Sequence, residues 1–439
     1  MEPGRKAVWG WALYDWANSA FATTVMAGFF PLFFRQYWSQ GVDPNLTTAR
    51  LGLANSIAGL LVAIMAPLMG ALADRRGGHK GLLVFFTYLG VAATAALFWV
   101  EAGGWAWAAG LYALAVVGFS GGNLFYDSLL PKVAPRGSLD RVSGLGYGLG
   151  YLGGGILFAL NLLMVTWPRA WGLADAGQAV RWAFVSVALW WGGFACLTWA
   201  WVPAPVAPPD APGGWRAVAE GLARLRQTLS RARHHRRVWL FLLAYWCYID
   251  GVDTIIRMAL DFGMVLGLEQ GQLIAALLMV QFIGFPAAIV FGRLGQRWGT
   301  RRSLLLGVAA YLAITLYATR ISHAWEFFLL AGGIALFQGG VQALSRSLYA
   351  RLIPPGREAE FFGFYNLMGK FAVILGPLLM GGMGLLARRF LVTPGPGAAE
   401  AAARWGVASV ALLFVAGGLL LWRVGNPDPD GGDRKTGIG

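Results

Sequence analysis

Seven ionisable side chains lie inside stretches that are otherwise apolar: Asp15, Asp127, Asp250, Asp253, Arg257, Arg346 and Lys370. An ionised group in an apolar medium costs about 2.5–3.5 kcal/mol on insertion scales, so it is retained where it pairs or works. Asp253 and Arg257 are four apart and would meet on one helix face. Asp250, three residues before Asp253, shares much of that face. Two carboxylates so close do not both ionise cheaply, which makes this pair the first candidate for holding a proton; the alternative is a structural cluster with Arg257. Asp15, Asp127 and Arg346 fall toward one end of their stretches. A gate or packing salt bridge is the first reading there, and direct contact with a solute is the second. Asn18 follows Asp15 by three, Asn123 precedes Asp127 by four, and Gln342 precedes Arg346 by four, so each amide sits near its charged neighbour's face. Tyr14, Tyr126, Tyr245 and Tyr248 add aromatic surface with a hydroxyl. A zwitterion needs a cation, an anion and apolar surface. Arg257 or Arg346, Asp250 or Asp253, and these aromatics could supply them. The same set would suit a peptide, a sugar acid or a polar drug. Lys370 is expected to pack against an acid of the seventh or tenth stretch.

Other chemistries are poorly represented. The two cysteines, Cys196 and Cys247, lie in apolar runs and read as small core residues. The four histidines lie in polar connections without zinc spacing, so neither a metal nor a cofactor is expected. Gly118-Phe119-Ser120-Gly121-Gly122 has nucleophile-elbow spacing, but no strand precedes it and no histidine lies in an apolar run. There is no phosphate-binding Gly-Lys-Ser/Thr loop, and no catalytic constellation is visible. Asn45-Leu46-Thr47 is a glycosylation sequon, which matters only in a eukaryotic secretory pathway.

The elements that must carry these residues follow from composition. The 439-residue chain is 57% hydrophobic and 13% charged, against about 25% charged in soluble domains. A membrane-spanning helix needs about 20 apolar residues. On that basis twelve spans are predicted: 9–36, 49–73, 81–100, 105–130, 142–165, 180–201, 238–262, 271–294, 302–319, 325–352, 361–386 and 403–423. With the N-terminus in the cytoplasm, the inside segments hold 24 of the 35 Lys and Arg residues and the outside segments 8. The positive-inside rule therefore places both termini inside. The net charge of +14 is then a topology signal plus attraction to anionic lipid, and nucleic acid is not an expected partner.

The one long internal connection, 202–237, is Pro-rich and then amphipathic, with Trp215, Val218, Leu222, Leu225 and Leu229 at helical spacing. A tether lying on the cytoplasmic headgroups is the preferred reading over a regulatory element. It divides a six-helix bundle (1–201) from a second one (238–425), with a disordered cytoplasmic tail at 426–439. The halves repeat. Gly70-Ala-Leu-Ala-Asp74-Arg75-Arg-Gly77-Gly-His-Lys80 follows span two. Gly292-Arg-Leu-Gly-Gln296-Arg-Trp-Gly299 follows span eight, offset by 222 residues. Such duplication points to a transporter whose halves move about a midplane site. The glycines of span five, from Gly144 to Gly155, read as a close contact between halves in preference to a dimer interface.

The loop from Gly70 to Lys80 resembles the signature of the major facilitator superfamily, with Gln296 in place of Asp74 in the second copy. Tyr14-Asp15-Trp16-Ala17-Asn18-Ser19, Phe125-Tyr126-Asp127-Ser128, Tyr248-Ile249-Asp250-Gly251-Val252-Asp253, Gln338-Gly339-Gly340-Val341-Gln342 and Phe361-Phe362-Gly363-Phe364-Tyr365 resemble, more narrowly, the branch of fungal vacuolar, autophagy-related amino-acid effluxers and their bacterial relatives. The resemblance implies an all-α fold of twelve helices in two pseudo-symmetric bundles and alternating access. It also implies a central cavity lined by spans one, four, seven and ten, and amino-acid-like cargo. The expectation is a secondary transporter, as a monomer in a plasma membrane of bacterial inner-membrane type, with a small-molecule substrate and a coupling proton. Another cargo (sugar, drug or lipid), or a transporter-derived receptor, stays open. Asp74 should face the start of span eleven, where helix-end charge favours a carboxylate by about 0.3–1 kcal/mol. Gly70, Arg75, Gly77, Lys80 and Lys370 are grouped with it as an interdomain latch.

Overall fold

The computed structural model describes residues 3–76, 78–204, 223, 235–265, 269–321, 323–372, 374–392 and 398–425. Among them there is no strand. The first span, α1, runs from Pro3 to Trp38 and starts as α-helix, Pro3–Ala20. It continues through π-wound Phe21–Phe29, α-helical Phe30–Phe33 and π-wound Phe34–Trp38. Then follow α2 (Pro44–Arg76), α3 (His79–Ala96), α4 (Trp105–Val133), α5 (Leu139–Thr166) and α6 (Ala176–Trp201). The later helices are α7 (Arg236–Val265), α8 (Gln270–Trp298), α9 (Thr300–Ala318), α10 (Ala324–Leu352), α11 (Glu358–Phe371), α12 (Leu375–Phe390) and α13 (Ala398–Val424). Several starts are fixed by side chains that take up free helix-end N–H groups. Asp175 accepts from Gln178 N at 2.7 Å, Glu269 and Gln272 form a capping box before α8, and His323 and Glu326 form one before α10.

Eleven helical segments among the described residues are long and apolar enough to cross a membrane. The twelfth expected span is α9, 19 residues long, whose length of about 28 Å matches a hydrocarbon core. Arg301 and Arg302 in its first turn lower its mean hydropathy below that of its neighbours. Span eleven departs from expectation: 361–386 is not one helix but the pair α11 and α12. Pro377 lacks the N–H that would bond the carbonyl of residue 373, so a continuous helix loses a rung there. The amphipathic segment expected in the linker falls on 205–222 and 224–234, and the tail on 426–439. Both lie outside the described residues.

The outer surface is what a bilayer would cover. Leu53, Leu60, Ile64 and Leu189 are each at least 60% exposed. Exposed tryptophans form two belts, as amphipathic rings do at headgroup level. Trp199, Trp298 and Trp422 lie at the helix ends near the Asp74 loop, here called the motif face. Trp99, Trp107, Trp167, Trp182 and Trp325 lie at the opposite ends, the far face.

Within the first half, α1 packs on α5 and α6, and α4 on α3 and α2; within the second, α7 packs on α13, and α8 and α9 on α10. Two seams join the halves, α2 against α11 and α5 against α8. Both seams are glycine-lined because the backbones nearly touch. A Cβ on Gly144 would stand 2.7 Å from the Ala288 carbonyl oxygen, and one on Gly292 would stand 2.8 Å from that of Asp140. The α2–α11 seam repeats this. A Cβ on Gly363 would stand 2.8 Å from the Ala66 carbonyl oxygen, and one on Gly70 would collide with that of Ala359. The glycines of α5 serve two neighbours. Gly144, Gly148 and Gly155 face α8 across the seam, whereas Gly146, Gly150 and Gly153 admit α1 within the first half.

Candidate functional site

A cavity of about 460 Å³ lies between the halves. Its walls run from Asp15, Asp127 and Arg346, near the motif face, to Leu273 and Phe327 in the first turns of α8 and α10 at the far face. α1 contributes Asp15, Asn18, Ser19, Ala22 and Thr23; α4 contributes Phe119, Asn123, Tyr126 and Asp127; α10 contributes Gln338, Gln342 and Arg346. These recur at three- and four-residue intervals, one face of each helix.

The closed end of the cavity is a charge cluster drawn from both halves. Arg346 is 1% exposed. Its Nη1 donates to Asp15 Oδ2 at 3.3 Å and Asp127 Oδ1 at 3.1 Å. Its Nη2 donates to Asp15 Oδ2 at 3.2 Å and to the Ser143 carbonyl at 3.1 Å, and its Nε donates to Ser143 Oγ at 3.0 Å. Tyr126 donates a further bond to Asp15 Oδ2 at 2.7 Å. The guanidinium also lies over the rings of Tyr147, Trp11 and Tyr126, at 4.3, 4.7 and 5.2 Å. A planar five-donor fork meeting two carboxylates and stacked rings is work a lysine could not do in the same place. Higher in the cavity, Asn18 donates to Asn123 at 2.5 Å, and Gln281 of α8 donates to Thr23 of α1 at 2.7 Å, a bond between halves.

Below the cluster the motif face is shut. Asp74 accepts from the backbone N–H groups of Ala359 at 3.0 Å and Glu360 at 2.8 Å, in the first turn of α11. This is the carboxylate-to-helix-start contact expected from the sequence. His79 lies 3.3 Å from Asp74, accepts or donates at Ser128 Oγ over 3.0 Å, and meets Lys132 Nζ at 2.8 Å. Lys132 reaches Glu358 at 3.8 Å. The other seam is tied by Asp140 of α5, which pairs with Arg351 at 2.7 Å and accepts from Thr300 at 2.8 Å and from Ser347. Gln296, standing where the second motif copy lacks its carboxylate, donates instead to the Gly137 carbonyl at 3.1 Å.

Replacing Asp74 with alanine removes a helix cap, which costs about 0.5–2 kcal/mol, and strands two N–H groups at a packed seam. The expected result is a population shift toward a state open at the motif face. Spin labels placed across the motif-face ends of α2 and α11 would report it, and an unchanged distance distribution would dismiss the latch.

The structure redistributes several expected site residues. Asp15, Asn18, Asn123, Tyr126, Asp127, Tyr245, Gln342 and Arg346 all line the cavity. Tyr14 does not: it is 1% exposed and shares a 2.8 Å hydrogen bond with Thr87. Tyr248 is turned to Ser345 at 2.7 Å. Asp250 is fully buried and accepts from Leu375 N at 2.9 Å and Gly376 N at 2.8 Å. It therefore caps α12, at the break in span eleven. Asp253 is half-buried and is not among the cavity walls. Lys370 stands ten residues beyond Glu360, about 15 Å along α11, too far to belong to the Asp74 latch. Lys80 lines a separate small cleft with Thr87 and Trp199, and its neighbour His79 makes the latch contact. Gly77 and the side chains of Arg75 and Arg257 lie outside the described residues. Residues not anticipated as site residues include Tyr147 and Tyr151, four apart on α5, and Gln281, Gln338, Tyr365 and Asn366. Asp140 and Arg351 are a second omission, since each falls where an apolar run meets a loop.

Comparison with known proteins places this arrangement. The family described as "Vacuole effluxer Atg22 like" matches residues 3–51 and 44–384. The MFS-type transporter YxiO of Bacillus subtilis is 38% identical over 372 residues, covering 84% of this chain and 86% of that protein. Autophagy-related protein 22 of Saccharomyces cerevisiae (strain S288c) is 25% identical over 457 residues, covering 85% of each. Among solved structures, the human organic anion transporter MFSD10 superposes with a TM-score of 0.71 at 15% identity, over 96% of this chain and 100% of that one. The major facilitator transporter FucP in its outward conformation gives 0.65 at 13% identity, over 97% and 99%. At these identities the structural likeness speaks for the fold.

Proposed function

The chain belongs to the Vacuole effluxer Atg22 like family of major facilitator transporters, a non-enzymatic class of multi-pass membrane proteins, and from that premise we propose that it carries a small, polar, amino-acid-like solute by alternating access. One observation carries the reading. A cavity built from both halves ends at the Asp15–Arg346–Asp127 cluster, and the seams beneath it are closed by Asp74 and Asp140, which bond to the opposite half. Interfaces of this kind have two discrete arrangements, and rocking the halves would break both seams while closing the far face. The excess of basic residues on the motif face supports a cytoplasmic location for it, with both termini inside and the cavity facing outward in this state. We place the protein in a plasma membrane, acting as a monomer of two bundles, 1–201 and 238–425, tethered by 202–237.

Coupling to protons is part of the proposal. The buried carboxylates that line the cavity are Asp15 and Asp127, so they are the groups a translocated proton would visit. The test is counterflow of labelled amino acids into liposomes containing the purified protein, with and without a pH gradient, beside Asp127→Asn. Exchange of one amino-acid class, lost in the variant and stimulated by the gradient, is expected. Folded protein that exchanges no amino acid would overturn the cargo assignment, and gradient-independent exchange would overturn the coupling.

A further inference from the structure

The charge cluster is short of one positive charge. Asp15 and Asp127 together carry two negative charges when ionised, against one on Arg346. The Nε–H of Arg346 goes to Ser143 Oγ, the two Nη1 bonds go to Asp15 and Asp127, and the two Nη2 bonds go to Asp15 and the Ser143 carbonyl. A guanidinium has five N–H donors, so none is left for a solute. The rings of Trp11 and Tyr147 also lie against it, at 4.7 and 4.3 Å. The carboxylates are less occupied. All bonds to Asp15 fall on Oδ2, and the Arg346 bond to Asp127 falls on Oδ1. That leaves Oδ1 of Asp15, while Asp127 takes one further hydrogen bond, from Asn366; both residues are 8% exposed and line the cavity.

Resting on the transport reading above, we infer that these two carboxylates form an ammonium site, and that the cavity selects solutes carrying a cationic amine and rejects those whose net charge is negative. An ammonium brings three donors and one charge, which matches the lone pairs the two carboxylates keep and the missing positive charge. The aromatic walls at Tyr147 and Tyr151 favour a cation beside them. Arg346, the expected receptor for a solute carboxylate, instead holds the two acids in place. A carboxylate on the solute would fall to the amides of Gln338 and Gln342, four residues apart above Arg346 on α10, which provide donors without charge.

The experiment is calorimetric titration of the full-length protein in detergent micelles. For each of several side chains (leucine, tyrosine, glutamine) it compares the free amino acid, its amide and its N-acetyl derivative. The amide lacks the carboxylate and the N-acetyl derivative lacks the ammonium. The expected result is that amide and free acid bind within about threefold of one another, while the N-acetyl compound binds at least tenfold more weakly. Asp127→Asn should shrink that gap to about twofold, with monodispersity and helix content checked by gel filtration and circular dichroism. Asp127→Glu, which keeps the charge, should restore part of it. N-acetyl compounds binding as well as amides would overturn the inference and leave the transport reading intact. If no member binds but the protein exchanges another solute, the amino-acid reading fails. A cationic solute would then uphold the ammonium site, and an anionic or uncharged one would overturn it as well.

Discussion

Arg346→Met is expected to abolish solute exchange and to destabilise the protein by about 3–5 kcal/mol, the usual cost of leaving a buried ion cluster without one partner. Two carboxylates at 8% exposure would face each other with no cation between them. Arg346→Lys should recover little, because an ammonium has three donors where the guanidinium uses five, and no plane to lay against Tyr147. Neutralising all three charges, as Asp15→Asn with Asp127→Asn and Arg346→Met, should return most of the stability and none of the transport. That contrast separates holding the fold from handling the solute. The measurements are the unfolding midpoint in mixed micelles and counterflow in liposomes. A stable Arg346→Met protein that still exchanges solute would remove the cluster from the mechanism.

Gly70→Val should have the largest conformational effect. The new Cβ would run into the carbonyl of Ala359 and stand 2.9 Å from the nitrogen of Glu360, both backbone atoms of α11's first turn. Backbone in a helix does not step aside as a side-chain tip does, so α2 and α11 must part and Asp74 loses its two donors. Overpacking of this kind costs about 1–3 kcal/mol, equivalent to a shift of about 5- to 150-fold away from the state closed at the motif face. Gly59→Val is the control, since a Cβ there meets nothing within 4 Å on the same helix. Cysteine cross-linking between the motif-face ends of α2 and α11 should fall sharply in Gly70→Val and hold in Gly59→Val. Equal cross-linking in both would show that the seam tolerates separation without changing state.

The membrane architecture was largely legible because spanning helices announce themselves by length and apolarity, and the repeat of the Gly70 loop at Gly292 announces the duplication. The partner of Asp74 was also legible, because a motif carboxylate needs a helix start to face. Position within a span was harder to read. Asp250 has the same type and spacing as a cavity acid, yet it caps α12. Only the break ahead of Pro377 creates those free N–H groups, and a break is invisible to hydropathy. Tyr14 and Tyr126 also look equivalent in sequence. Tyr126 points to Asp15 and Tyr14 to Thr87, a difference set by the rotation of two packed helices. Asp140 and Arg351 escaped notice because loop-edge charges usually face water, whereas these two meet across a glycine seam.

The π-wound stretch of α1 has a consequence for how the cavity can change shape. Ser19, Thr23 and Ala27 all face the cavity at strict four-residue steps. In an α-helix four residues overshoot one turn by about 40°, so such a column would wind away from the cavity. Over Phe21–Phe29 the wider turn takes up that overshoot and keeps the column nearly vertical. If those turns tightened to α geometry, the segment beyond Phe29 would rotate about the axis and lengthen, carrying Thr23 away from Gln281. α1 thus holds a torsional degree of freedom at the height of the solute, distinct from the rigid rocking of the two halves.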